Sequence, residues 1–141
     1  MNDLRNVDRV IDGLYIGNAA AMNEAHALHR HGVQRVLKLY FDRPYWPRSF
    51  TVLENAVVDG MPLPRHYLDT GMAFLHASMS AQEPVLVACR MGVSRSSTFV
   101  LAYLLERGYD LLAAWELLLR QHPRAWPATA MWESLLEHYD T

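Results

Sequence analysis

Residues 85–97 read Val-Leu-Val-Ala-Cys-Arg-Met-Gly-Val-Ser-Arg-Ser-Ser. A short apolar run delivers Cys89, the only cysteine, and Arg95 follows six residues later at the start of a helical pattern. A strand, a tight loop and a helix in that order hold an anion well. Backbone N–H groups and the positive end of the helix dipole converge on one point. Gly92 lets the loop backbone approach a ligand. Arg95 can grip two oxygens of a phosphate at once. A cysteine in such a positive pocket loses its proton readily and becomes a nucleophile. The candidate phosphate-binding loop is therefore Cys89, Arg90, Met91, Gly92, Val93, Ser94 and Arg95. Alone, Cys89 could equally be a small buried apolar residue. The glycine, the Ser-Arg-Ser-Ser run, the preceding Val-Leu-Val and the following helix favour the anion site.

Working outward, the chain alternates strands and helices. Residues 10–17 (VIDGLYIG) read as a first strand with a turn at Asp12-Gly13 and a stop at Gly17. Met22, Ala25 and Leu28 space a helix ending at His31-Gly32. Residues 33–39 read as a strand, 40–49 as a loop marked by Pro44 and Pro47, and 50–58 as a further strand. Leu68, Met72, Leu75 and Met79 form a helical stripe. Residues 84–88 are a buried strand. Residues 97–107 are apolar on most sides and predict the central buried helix, ended by Gly108. Asp110 can cap a helix running through Arg120, and Pro123 stops it. A last helix starts near Thr129. This alternation predicts a single α/β layered domain over residues 1–141, with a central, mostly parallel sheet flanked by helices. Cys89 would then lie at a strand's carboxyl end, where open α/β sheets bind ligands.

Composition narrows the function classes. The chain has 141 residues, 51% of them hydrophobic, with a formal net charge of −2. That length suits one core. The charge gives no case for wholesale nucleic-acid or membrane binding. Asp3, Arg5, Asp8, Arg9 and Asp12 in the opening stretch argue against a signal peptide. One cysteine excludes an internal disulfide and fits a reducing, cytoplasmic setting. Lys38 is the only lysine beside 12 arginines, which reads as compositional bias.

Cys-x5-Arg-Ser between an apolar strand and an apolar helix resembles the cysteine-based protein tyrosine phosphatases, and the short length resembles their dual-specificity branch. Further likeness lies in Ile11-Asp12-Gly13-Leu14-Tyr15-Ile16-Gly17, in the Gly32-Val33-x-x-Val36-Leu37 strand start, in Val-Ser-Arg-Ser of the loop, and in Ala102-Tyr103-Leu104. The resemblance covers residues 9–137. It implies that Cys89 attacks phosphorus, Arg95 binds the equatorial oxygens and Ser96 helps the thiolate leave. It also implies an upstream Asp as general acid and then base. Asp59, 30 residues before Cys89 and ahead of a Gly/Pro-rich loop, fits that role. No metal or other cofactor is implied, and the partner is a phosphorylated protein or peptide.

Two departures stand out. Ala88 occupies the place of the family's usual His, removing one source of loop order and thiolate stabilisation. The segment His122-Pro123-Arg124-Ala125-Trp126-Pro127-Ala128 lacks the Asn often found after a Pro there, so support from that side chain is missing.

Other residues carry weaker signals. Asp42 is a rival general acid, but Asp also serves turns. Tyr40, Phe41, Tyr45 and Trp46 could wall a phosphotyrosine slot or simply pack. Arg90 and Met91 would face outward, and Arg90 could meet a second acidic group or only solvent. Arg124 and Trp126 could border the cleft. His26 and His29 share a helix face without a third ligand, which reads as a solvated face. Ser94 and Ser97 suit the loop and helix start. Two other classes stay open: a rhodanese-type sulfurtransferase, which needs neither Arg95, Ser96 nor an upstream acid, and a non-catalytic phosphate-binding module. Among phosphatase substrates, non-protein phosphomonoesters are the alternative to phosphopeptides. Met91 and Val93 stand where phosphoinositide-directed relatives often carry Lys.

Overall fold

The computed structural model describes residues 3–141. Five strands form one sheet: β1 (Val7–Ile11), β2 (Leu14–Gly17), β3 (Arg35–Lys38), β4 (Thr51–Glu54) and β5 (Val85–Ala88). Their spatial order is β1-β2-β5-β3-β4. β1 and β2 make an antiparallel hairpin, while β2, β5, β3 and β4 run parallel. The helices are α1 (Ala25–Arg30), preceded by a 3₁₀ turn (Ala19–Glu24), then α2 (Arg65–Ser80), α3 (Arg95–Glu106), α4 (Leu111–Gln121) and α5 (Thr129–Tyr139). The expected layered, mostly parallel α/β architecture is what the chain adopts.

The sequence pattern explains the layering. β5 lies between β2 and β3, and all four of its residues are buried. A strand covered on both faces reads as a continuous apolar run. Its alternating side chains enter two different cores. Val85, Val87 and Cys89 join the core formed with α2, α3, α4 and α5, which includes Leu75, Phe99, Leu101 and Leu135. Leu86 and Ala88 join the opposite core with Leu28, Tyr40, Trp46 and Phe50. α3 is the central buried helix, with ten of its 12 residues buried. Burying each large apolar side chain there stabilises the fold by roughly 1.5–3 kcal/mol. Asp110 caps α4, its side chain accepting from Ala113 N at 2.8 Å.

Several boundaries differ from expectation, three of them for a clear local reason. The first strand is a hairpin that begins at Val7; Val7 and Val10 are buried, while the polar Asp8 and Arg9 disguise the pattern. The turn is at Asp12-Gly13, with Gly13 at φ +83°. β4 stops at Glu54, because the next residue, Asn55, turns inward and donates from Nδ2 to Tyr67 O at 2.9 Å. α3 begins at Arg95, two residues early, so Arg95 projects from its first turn.

Candidate active site

Cys89 follows β5 directly, its N–H donating to Gly17 O at 3.3 Å. The side chain is 2% exposed, and Sγ lies 3.1 Å from Ser96 Oγ. Residues 90–94 curl from Cys89 into α3. Their carbonyls are pinned from outside the curl. Ala19 N donates to Arg90 O at 3.2 Å, and Trp126 N to Val93 O at 2.9 Å. Ser97 Oγ donates to Val93 O at 2.6 Å, and Thr98 Oγ1 to Ser94 O at 2.8 Å. His122 Nε2 sits 2.6 Å from Gly92 O. In a trans peptide the N–H points opposite to the preceding C=O. Pinning the carbonyls outward therefore turns the N–H groups of Met91, Val93 and Ser94 inward, where an anion would receive them.

Gly92 is required at this curvature. Its φ is +71°, and an added Cβ would lie 3.1 Å from Gly17 C and 3.2 Å from Asn18 N. Both the conformation and the close approach of β2's end demand the missing side chain.

Arg95 completes the pocket. It is 9% exposed, and Nη1 donates to Leu39 O at 3.2 Å and Val57 O at 3.1 Å. Those two carbonyls, from the ends of β3 and the β4 side, fix the plane of the guanidinium. Its Nε is buried with no hydrogen-bond partner. A buried, unpartnered donor on a cation is costly without a ligand. An anion's oxygen there would supply the missing acceptor.

The segment after α4 buttresses the loop, which the sequence did not reveal. His122 is 5% exposed, with Nδ1 2.7 Å from Asp8 Oδ2 and Nε2 on Gly92 O. Ser94 Oγ accepts from Ala128 N at 2.9 Å and contacts Met131 Sδ at 3.6 Å. Loop support is thus present without the absent Asn: residues 122–128 act through one buried ring and two backbone amides. Asp8 and His122 are 114 positions apart, so no local spacing could pair them.

The acids and aromatics separate by burial. Asp59 is exposed in a turn with Gly60, two residues beyond the carbonyl that Arg95 holds, and makes no hydrogen bond or ion pair among the described residues. Asp42, at φ +59°, is also exposed. Its neighbours Phe41 and Arg43 give their carbonyls to Arg90 Nη2, both at 2.9 Å. Arg90 therefore fastens the β3–β4 loop to the phosphate loop; its guanidinium also lies 5.3 Å over the Tyr40 ring. Neither reading of Arg90, second acid-binding group or solvated side chain, describes this role.

Tyr40 is fully buried and Trp46 is 9% exposed, so these two are core residues and not slot walls. Trp46 Nε1 donates to Tyr40 Oη at 3.1 Å, which donates onward to Pro44 O at 2.8 Å. Burial holds the Tyr40 phenol above its ordinary pKa, so it stays protonated. Phe41 and Tyr45 are exposed, as are Met91 and Trp126. Trp126 meets Trp115 edge-on at 6.3 Å, and both border a groove of about 330 Å³ with Trp132. His29 spends its ring nitrogens on Val33 O and Ser49 Oγ. Among the described residues no three His, Cys, Asp or Glu side chains are grouped to hold a metal ion.

Comparison with known proteins settles the family. A model described as the catalytic domain of dual specificity phosphatases matches residues 14–141. The chain belongs to the dual specificity phosphatase family. It is 26% identical over 140 residues to mouse dual specificity protein phosphatase 14, covering 96% of this chain and 70% of that one. It is 30% identical over 126 residues to dual specificity protein phosphatase 1B of Arabidopsis thaliana, covering 87% and 75%. The crystal structure of human DUSP28 superposes with a TM-score of 0.87 at 27% identity, covering 94% and 95% of the two chains. The chain is a cysteine-based protein phosphatase. Its Ala88 is fully buried. The position faces the Tyr40 and Trp46 core, on the opposite side of the sheet from Cys89.

Proposed function

We propose that Cys89, Arg95, Ser96 and Asp59 hydrolyse phosphotyrosine and phosphoserine or phosphothreonine monoesters through a cysteinyl-phosphate intermediate. The substrate's phosphoryl group enters the curl of residues 89–95. Inward N–H groups and Arg95 Nε hold its equatorial oxygens. The Cys89 thiolate attacks phosphorus as the ester oxygen departs, and the Asp59 carboxylic acid gives that oxygen its proton. The now-charged Asp59 takes a proton from water, the water oxygen bonds to phosphorus, and the S–P bond breaks. Ser96 Oγ, 3.1 Å from Sγ, donates a hydrogen bond to the departing thiolate. General acid and base help of this type contributes roughly 10²–10⁴-fold; the remainder is positioning and charge stabilisation.

The observation that carries this reading is the Arg95 guanidinium, pinned through Nη1 with Nε buried and unpartnered. An apolar rim supports a protein substrate over a small polar phosphate ester. Phe41, Val58, Met61 and Tyr67, all exposed, line one pocket of about 310 Å³. Neither nucleic acid nor a membrane is needed as partner, and no described helix is long and apolar enough to cross one. A nucleophilic thiol with no partner cysteine suits the reducing cytoplasm. Residues 1–141 would then act as one catalytic domain.

The test is a panel of phosphopeptides and phosphoinositides run with the wild type and Cys89→Ser. Turnover of the peptides without added metal, lost in Cys89→Ser while vanadate still binds, is the expected result. Activity retained in Cys89→Ser, or confined to the lipids, overturns the reading.

A further inference from the structure

His122 is a buried ring whose two partners define its charge. A carboxylate oxygen of Asp8 lies 2.7 Å from Nδ1, and the Gly92 carbonyl lies 2.6 Å from Nε2. Neither partner can donate, so both ring nitrogens must. That is the pattern a doubly protonated ring makes, with Asp8 on β1 at its outer side and the middle of the phosphate loop at its inner side. Asp8 is the one ionisable group bonded to it among the described residues.

The placement gives this cation two effects on the loop. Holding the Gly92 carbonyl outward fixes the peptide that follows, so the Val93 N–H stays turned inward. A positive charge behind the curl, shielded from solvent, also favours a thiolate and a bound phosphate dianion in front of it. The Ala88 side chain does neither, being a buried methyl group in the core with Tyr40 and Trp46.

We propose that His122, charged and oriented by Asp8, is a positioning residue of this phosphatase. It orders the phosphate loop through Gly92 and supplies the positive charge that the residue before Cys89 does not. The role of the loop in turnover rests on the reading above; the protonation of the ring does not.

The experiment compares wild type, His122→Ala, His122→Gln and Asp8→Asn. The readouts are kcat and KM on an aryl phosphate, the rate of Cys89 alkylation by iodoacetate at mildly acidic pH, and ¹⁵N NMR of the His122 ring. Alkylation reports the thiolate fraction, since the thiolate is the nucleophile. NMR should show protons on both ring nitrogens in the wild type. His122→Ala leaves a buried carbonyl unpaired, and kcat should fall ~10–100-fold, more than KM rises, with slower alkylation. His122→Gln can donate to Gly92 but carries no charge; it should recover part of kcat while alkylation stays slow. Asp8→Asn should slow both with the ring still in place. If His122→Ala fails to fold, the Gln and Asn variants decide. Wild-type alkylation and kcat in His122→Gln, or a singly protonated ring, overturn the proposal and leave the phosphatase reading standing. A wild type with no esterase activity sinks that reading instead, while alkylation and NMR still judge His122.

Discussion

Replacing Arg95 by lysine tests whether geometry or mere charge binds the phosphate. The guanidinium serves two sites at once. Nη1 bonds the Leu39 and Val57 carbonyls at 3.2 and 3.1 Å, and Nε is buried and free for an anion. A lysine has one ammonium to place. If it settles on the two carbonyls, the phosphate loses its planar two-pronged contact. Hydrogen bonds to charged groups are worth roughly 1.5–3 kcal/mol each, so two of them correspond to ~10²–10⁴ in kcat/KM. If it reaches the phosphate instead, the Val57 carbonyl is orphaned at a cost of roughly 1–3 kcal/mol, while Leu39 O keeps the Val57 N–H at 3.2 Å. That loss lowers Tm by several degrees in a domain of this size. Either way Arg95→Lys should be nearly as damaging as Arg95→Ala, with kcat reduced as well as KM raised, because the contact matters in the transition state. Steady-state kinetics on p-nitrophenyl phosphate, paired with thermal melts of both variants, measures this. A lysine variant with near-normal kcat and Tm would falsify the geometric argument.

Three further outcomes follow from the same structure. Asp59→Asn should lose most activity on phenyl phosphate and phosphotyrosine, and least on aryl phosphates whose leaving group needs little protonation; finding that pattern in Asp42→Asn, and not in Asp59→Asn, would reassign the acid. Gly92→Ala places a Cβ 3.1 Å from Gly17 C at φ +71°; the left-handed conformation alone costs ~1–2 kcal/mol, so Tm and vanadate affinity should both fall, and an unchanged pair of values would show that the loop has more room than its geometry implies. Ala88→His must fit a ring into the fully buried position beside the Tyr40 and Trp46 core, where overpacking costs roughly 1–3 kcal/mol; a lower Tm with no gain in Cys89 alkylation is expected, and faster alkylation at unchanged Tm would contradict it.

The candidate nucleophile and the curl that holds it were legible in the sequence because they are contiguous. Six residues between a strand and a helix leave few conformations, and the strand, the glycine and the arginine each constrain the same curl. The alternation of apolar strands and helical stripes likewise fixed the layered class. Boundaries went astray where polar residues interrupt a pattern, as Asp8 and Arg9 do in β1, or where one inward polar group ends a strand, as Asn55 does after β4.

The long-range contacts that hold the loop in shape came from tertiary structure. Ala88 looks like a loss beside Cys89 in the sequence, yet the structure brings another histidine, His122, against the loop at Gly92. Arg90 looks like a ligand for a second acid until its guanidinium is seen gripping Phe41 and Arg43. Tyr40 and Trp46 look like a binding slot until their mutual hydrogen bond places them inside. Asp8, His122 and Gly92 come from a strand, a helix end and a loop far apart in the chain. Side-chain spacing along a chain encodes local periodicity. Which distant donor meets which carbonyl is decided only when the helices pack across the sheet.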